Sequence, residues 1–225
     1  MDNFLDIKNF YDKGAKFYDI VHHMQTLWAD NVHRIEVVKA AQLQDGEMVI
    51  DIGTGTSMAA IYAINETYPE QIRVIGIDLS TQMLKEAKKN LKHFHMKNDV
   101  LSINADARCL PLRNHVFDKI ISVYGMGGIQ INVEKAFLEI FKVCKKSAII
   151  SVGEMSAPPQ DKSLLKRKIH EICVEPLINL IWQFKDLNLS SIFKKFQIKT
   201  LKRCYYNTKY FGSMTLLLGR LKNSL

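Results

Sequence analysis

The chain has 225 residues, 47% of them apolar, and a formal net charge of +8; that length and apolar share suit one well-buried core and favour a single domain over two. Cys109, Cys144, Cys173 and Cys204 form no Cys-x-x-Cys pair and stand far apart, which argues against a zinc site or a disulfide framework and suits reduced thiols in a cytoplasmic protein. The start "MDNFLDIKNFYD" carries early acids, and no window approaches 18 uninterrupted apolar residues, so neither a signal peptide nor a membrane-spanning helix is expected.

In chain order, residues 11–43 read as two helices, with Phe17, Ile20, Val21 and Met24 on one apolar stripe and Ile35, Val38 and Ala41 on another. "MVIDI" is a buried strand, "SMAAIYAINETY" a helix opening on Ser57, and Pro69 its end. "RVIGID" is a second strand, and Ser80 caps the helix "TQMLKEAKKNL". "VLSINAD", "DKIISVY" and "SAIISVG" are further strands, with the helix "VEKAFLEIFKVCK" before the last and Lys145-Lys146-Ser147 as a surface turn. After Pro158-Pro159 come a helical stretch to residue 190, a short helix near Ser190 and a closing strand pair. Strands that are continuous apolar runs, alternating with helices, imply a parallel sheet covered on both faces. The expected fold is α/β, a Rossmann-like doubly wound sheet of seven mainly parallel strands with a C-terminal antiparallel hairpin. One domain is divided into an N-terminal helical part (1–44), a ligand-binding core (45–157), a helical lid (158–190) and a closing helix and strand pair (191–225).

Ligands of such sheets bind outside the carboxyl ends of the strands, so the residues there define the chemistry. The first strand ends in "DIGTGTSM", residues 51–58. A dinucleotide fingerprint needs glycine where Met58 stands, and a phosphate-binding loop needs a Gly-Lys-Ser/Thr that is absent. Asp51 opposes phosphate as well, because a carboxylate beside a pyrophosphate raises its electrostatic energy; it suits a cationic ligand. Asp78, ending the second strand, has the reach to accept both hydroxyls of a ribose, and Asp106, past the third, to accept from the amine of a base. An adenosine without phosphate but with a positive charge describes S-adenosylmethionine. A nicotinamide oxidoreductase would share Asp78 but needs the third glycine.

With "VIDIGTGTS", "VIGIDLS", "NADARCLPLRNHVFDKIIS" and the opening "FYDKGAKFYDIV" in this order, the chain resembles the class I S-adenosylmethionine-dependent methyltransferases, small-molecule branch, in particular the quinone-biosynthesis C-methyltransferases. The resemblance covers residues 11 to about 155. It implies that Asp51, Gly53, Thr54 and Gly55 face the methionyl part of the cofactor, Asp78 and Leu79 the ribose, Asp106 and Ala107 the adenine, and Tyr18 the mouth of the pocket. Ser57 replaces the family's third glycine; its hydroxyl is expected to cap the helix or touch the cofactor. The loop "YGMGGIQ" offers glycines where the family commonly carries a histidine pair.

A sulfonium is a good leaving group, so the protein's task is chiefly to hold an acceptor in line and keep water out. Candidates for a base are Tyr18, His22 and Tyr124, with Tyr11, His23 and Glu154 behind them. Tyr11 and Tyr18 equally suit packing, and His22 and His23 point from two sides of one helix, so at most one enters the pocket. Glu154 is placed after the fifth strand, at the rim.

Residues 1–160 balance to −1 and residues 161–225 carry +9. In that basic part Leu165, Ile169 and Ile172 form one apolar stripe, and Leu177, Leu180, Ile181 and Phe184 form another after Pro176. A lid of this composition suits a small lipophilic acceptor, and residues 161–185 suit peripheral contact with an anionic membrane or an ordinary amphipathic helix pair. Nucleic acid is disfavoured, since the Asn/Asp-Pro-Pro-Tyr signature of base-amine methyltransferases is absent. A non-catalytic subunit that binds S-adenosylmethionine is the other function this motif set allows.

Overall fold

The seven strands of the sheet run in the order β3-β2-β1-β4-β5-β7-β6 in a computed structural model of the chain. The structure describes residues 4–26, 29–68, 71–126, 132–155, 168, 189–196, 198–207 and 213–221. The strands are β1 (Met48–Ile52), β2 (Arg73–Asp78), β3 (Val100–Asn104), β4 (Phe117–Val123), β5 (Cys144–Met155), β6 (Lys199–Asn207) and β7 (Ser213–Arg220). The helices are α1 (Phe4–Gly14), α2 (Tyr18–Thr26), α3 (Ala29–Ala41), α4 (Met58–Thr67), α5 (Thr81–His93), α6 (Val133–Val143) and α7 (Leu189–Lys195), with a 3₁₀ turn over Ala15–Phe17 between α1 and α2.

β1 pairs in parallel with β2 on one side and β4 on the other. Chain order therefore reverses beside β1, which opens a crevice at its carboxyl end. β7 is antiparallel to both β5 and β6, closing the sheet as the expected hairpin. The central strands are apolar throughout because both faces are covered. Ile50, Ile52, Phe117, Ile120 and Phe137 pack in a core on one face; Val37, Val49, Ala60, Ile121 and Leu216 pack on the other. Gly153 of β5 is required by that second core, since a Cβ there would lie 2.5 Å from Val37 Cγ2 and 2.6 Å from Met214 Sδ.

The two helices expected over residues 11–43 are present as α2 and α3, and a further helix, α1, precedes them across the 3₁₀ turn. Three expectations need correction. The stripe Phe17, Ile20 and Met24 is more than half exposed among the described residues, since Tyr18 and His22 take the inward side. Lys145-Lys146-Ser147 lies within β5, where pairing shifts register between Phe117 and Lys119. Ser147 takes a left-handed backbone (φ 67°) there, and Lys145 Nζ pairs with Asp118 at 2.8 Å. Glu154 is a buried residue of β5, paired in register with Thr215 of β7, and not a rim residue beyond the strand. The proposed lid, with the 161–185 segment offered for membrane contact, lies outside the described residues apart from the isolated position 168 and residues 189–190, which open α7. No helix among the described residues is long and apolar enough to cross a membrane.

Gly153→Ala should lower stability by about 1–3 kcal/mol through overpacking. Urea unfolding followed by circular dichroism reads this; an unchanged midpoint would show that Val37 and Met214 give way freely.

Candidate active site

The turn after β1 is built by left-handed backbone at Gly53 (φ 70°), Gly55 (φ 54°) and Ser57 (φ 64°). Gly53 N donates to Ile77 O at 2.9 Å and Thr54 N donates to the same oxygen at 3.0 Å, so the turn is tied to the end of β2. A Cβ on Gly53 would lie 2.5 Å from Gly125 Cα. At this point the turns after β1 and β4 touch backbone to backbone, which only glycine allows. Gly76 of β2 does similar work, since a Cβ there would meet Thr54 Oγ1 at 2.8 Å. Ser57 does not cap α4 through its side chain; its hydroxyl is fully buried, 3.4 Å from Thr54 Oγ1, because the left-handed residue turns it inward.

Beside this turn lies a cleft with about 810 Å³ of empty space, counted out to its solvent-open mouth. Gly53, Gly55, Asp78, Leu79, Asp106, Ala107, Tyr18 and Tyr124 of the sequence-derived candidates line it. Asp51, Thr54 and His22 do not. Asp51 is buried behind the turn, where Oδ2 accepts from Thr54 Oγ1 at 2.7 Å and Oδ1 has no hydrogen-bond partner among the described residues. Burial, with the Asp78 carboxylate adding to it, pushes the Asp51 carboxyl up to about 7.

Asp78 Oδ2 accepts from Gly55 N and Oδ1 from Ser80 N, each at 2.8 Å. Burial still raises its carboxyl to about 6, against the pull of these bonds. Leu79 N adds a further interaction, and a carboxylate can accept at about four positions, so Asp78, which lines the cleft, keeps acceptor capacity for a ribose. Asp106 is gripped by Arg108, whose Nε lies 3.0 Å from both carboxylate oxygens and whose Nη2 lies 2.7 Å from Oδ2. Burial alone would raise the Asp106 carboxyl, but this pairing holds it below the usual range.

Two further aspartates, not singled out in the sequence, position the helical wall over the cleft. Asp12 of α1 accepts from Ser80 Oγ at 2.6 Å and Gln82 N at 3.2 Å, which brings Ile7, Lys8 and Tyr11 onto the cleft. Asp19 of α2 accepts from Thr56 Oγ1 at 2.8 Å and Asn90 Nδ2 at 3.3 Å. The signal was present in the "YD" pairs at 11–12 and 18–19. The two pairs lie on α1 and α2, either side of the 3₁₀ turn.

Behind Tyr18 and Tyr124 sits a buried polar cluster that sequence reading did not assemble. Asp30 of α3 is fully buried and takes an ion pair from Arg34, a hydrogen bond from Thr26 Oγ1 at 3.0 Å, and the Nδ1 atoms of His22 and His23 at 3.3 and 2.6 Å. Both histidines therefore converge on one carboxylate instead of pointing apart. The His22 ring stacks on Tyr18 with centroids 5.5 Å apart and lies 4.8 Å from Tyr124. Tyr124 follows β4 with a left-handed backbone (φ 59°), and its hydroxyl is hydrogen-bonded to His33 Nδ1. Glu154 Oε1 accepts from Met126 N at 2.6 Å, fixing the loop on which Tyr124 and Gly125 sit.

Fold and cleft together define a class I S-adenosylmethionine-dependent methyltransferase. A sequence model of the ubiE/COQ5 methyltransferase family matches residues 2–174, and the chain belongs to that family. A demethylmenaquinone methyltransferase of Porphyromonas gingivalis is 25% identical over 152 residues, 68% of this chain and 61% of the relative. Another, from Desulfitobacterium hafniense, is 24% identical over 179 residues, 80% of this chain and 70% of the relative. The chain thus spans about three fifths to seven tenths of the length of these relatives. The fold is shared with an S-adenosylmethionine-dependent methyltransferase structure from Methanococcus maripaludis described as putative (TM-score 0.66, 16% identity, 96% of this chain and 95% of that one). It is shared equally with the [4+2]-cyclase SpnF (TM-score 0.66, 15% identity, 88% and 82%).

The raised Asp51 carboxyl has a signed consequence. The folded value of about 7 lies above that of an unfolded aspartate, about 3.9, so its contribution to stability is full below about pH 4 and is lost as pH rises through about 7. In thermal unfolding, the stability of the wild type relative to Asp51→Asn should fall by on the order of a few kcal/mol between about pH 4 and about pH 7. A pH-independent difference would show that Asp51 is ionised throughout.

Proposed function

We propose that this chain transfers a methyl group from S-adenosylmethionine to a carbon of a small, lipophilic, hydroxylated ring of the reduced-quinone class. The observation that carries the reading is Asp78, whose carboxylate is held by Gly55 N and Ser80 N at the mouth of the β1 turn. The family match and the relatives' activity on demethylmenaquinone support the acceptor class.

The residues present fit the cofactor. The Gly53–Gly125 approach leaves only backbone where the cofactor would pass, and Asp78 has acceptor capacity for the ribose. Leu79, Met83 and Ala107 offer flat apolar walls for the base, with Asp106 as an acceptor for its amine. Asp51, one layer behind, would be favoured in its charged form by a cation at the methionyl end. When bound, the cofactor supplies a methyl group on a positively charged sulfur. Tyr11, Tyr18 and Tyr124 wall the opposite part of the cleft and, with α1 across it, exclude water from the acceptor. Their aromatic faces suit a planar ring.

Calorimetric titration with S-adenosylmethionine and S-adenosylhomocysteine tests the cofactor. Binding should be micromolar in the wild type and weaker by about 10²-fold in Asp78→Ala, the loss of two hydrogen bonds to a charged group. Methyl transfer to reduced, short-chain demethylmenaquinone, followed by mass spectrometry, tests the acceptor class. Cofactor binding without transfer to any hydroxylated ring would favour a non-catalytic binding subunit; no binding by folded protein would remove the methyltransferase reading altogether.

A further inference from the structure

Methylation of a hydroxylated ring releases a proton, and the cleft must send it somewhere. The wall nearest the acceptor end contains a titratable pair: Tyr124, which lines the cleft, and His33 of α3, whose Nδ1 is hydrogen-bonded to the Tyr124 hydroxyl. We propose that Tyr124 and His33 form a proton relay, in which Tyr124 takes the acceptor's hydroxyl proton as it gives its own to His33 Nδ1. This rests on the methyltransferase reading above and names the group that completes it.

Three features of the geometry support the relay. Tyr124 is a buried, non-glycine residue held at φ 59° directly after β4, a backbone state of raised energy that persists only where its surroundings impose it. Those surroundings are specific: Tyr124 N donates to Gly153 O at 2.8 Å, and Glu154 Oε1 holds the following loop through Met126 N. The strained turn aims the phenol across the cleft wall at an imidazole that lies one layer behind it. Second, His33 is 2% exposed, so water does not compete with the Tyr124 hydroxyl for its Nδ1. Third, the charged neighbours can receive a cation. Asp30 on α3 faces His33 and His22 of α2, and Arg34, Tyr18 and Glu154 complete the titratable groups around the pair.

The protonation states agree with a relay and not with a lone base. Burial, above all, lifts the Tyr124 phenol well above its ordinary range, so it stays neutral and can only pass a proton on. Burial pushes His33 down to about 4, with Asp30 pulling the other way, so the imidazole is neutral near pH 7 and holds a proton only transiently. The charge balances. The acceptor's O–H bond breaks and a Tyr124 O–H bond forms; the old Tyr124 O–H bond breaks and a His33 N–H bond forms. The new methyl–carbon bond is made with the electron pair freed on the ring system, the sulfur–methyl bond breaks with its pair going to sulfur, and the one positive charge moves from sulfonium to imidazolium. The ring C–H proton then moves to the carbonyl oxygen, which restores the hydroxyl and the aromatic ring, so one proton in all is released, and His33 gives it up between turnovers.

The relay demands one tautomer, with Nδ1 bare and the proton on Nε2, because a hydroxyl cannot donate to an N–H. Nitrogen-15 NMR of the ring of His33 in the full chain, assigned with His33→Gln, decides this near neutral pH. Bare Nδ1, shifting on Tyr124→Phe, is expected; Nδ1 protonated at neutral pH overturns the proposal whether or not a variant folds. The kinetic arm uses reduced short-chain demethylmenaquinone. A side-chain amide keeps an acceptor for the phenol but cannot hold the proton, so His33→Gln should lower kcat by about 10²-fold or more. KM and the calorimetric affinity for S-adenosylmethionine should stay within about twofold, and the acid limb of the kcat profile should disappear. A variant with wild-type kcat overturns the relay. Failure of the wild type to bind S-adenosylmethionine appears in the calorimetry alone, and so separates failure of the methyltransferase reading from failure of the relay.

Discussion

The contact on which the site depends is the backbone approach of Gly53 to Gly125. The chain reverses its winding direction beside β1, so the turns after β1 and β4 must leave the sheet side by side. A Cβ on Gly53 would fall 2.5 Å from Gly125 Cα, which leaves no room for any other residue at that contact. With the two turns pressed together, the space outside them becomes a cleft whose floor is peptide and whose flanks are side chains from β2, β3 and the loop of Tyr124. The hydrogen bonds from Gly53 N and Thr54 N to Ile77 O, and from Gly55 N to Asp78, extend the same constraint to β2. Asp78 therefore acquires its position from the glycine turn as much as from its own strand.

A second layer of order comes from carboxylates that leave the core uncharged on average but locally polar. Asp12 and Asp19 reach from the N-terminal helices to the caps of α5 and the glycine turn. Asp30 gathers Arg34, His22 and His23 in a space closed to solvent. Removing one partner of such a cluster would strand a buried charge, at a cost of several kcal/mol. That is a strong reason for α2 and α3 to sit where they do, and it places Tyr18 and Tyr124 as the boundary between this polar interior and the cleft.

Asp51 and Asp78 show how position changes the meaning of a carboxylate. Both stand at strand ends around the same turn, yet Asp51 is closed in behind it with one oxygen unpartnered among the described residues, while Asp78 lines the cleft with both oxygens engaged. The raised carboxyl values of both follow chiefly from burial. The Asp78 carboxylate adds to it at Asp51, and Asp12 adds to it at Asp78; a cationic ligand in the cleft would favour the charged form of both groups. A fold shared with both a methyltransferase and a cyclase makes the side chains around the cleft, and not the sheet, the carriers of the chemistry.

Much of this was legible from the chain itself. Continuous apolar strands alternating with helices specify a parallel sheet because burial on both faces leaves no polar alternation, and the spacing of Gly53, Gly55, Asp78 and Asp106 follows from one strand–helix unit per ligand contact. The sign of the ligand's charge was readable from Asp51, since local chemistry alone opposes a phosphate there. What the sequence could not contain were pairings across long separations: His33 with Tyr124, Asp12 with Ser80, Gly53 with Gly125. None has a periodicity, because each joins elements brought together only by sheet order. The outward face of Phe17, Ile20 and Met24 was likewise decided by packing, since helical spacing defines a stripe but not the side on which it lies. Local propensity and burial thus determined the elements and the cofactor class, and tertiary structure alone decided which titratable groups meet at the cleft, because electrostatics and hydrogen bonding act through space and not along the chain.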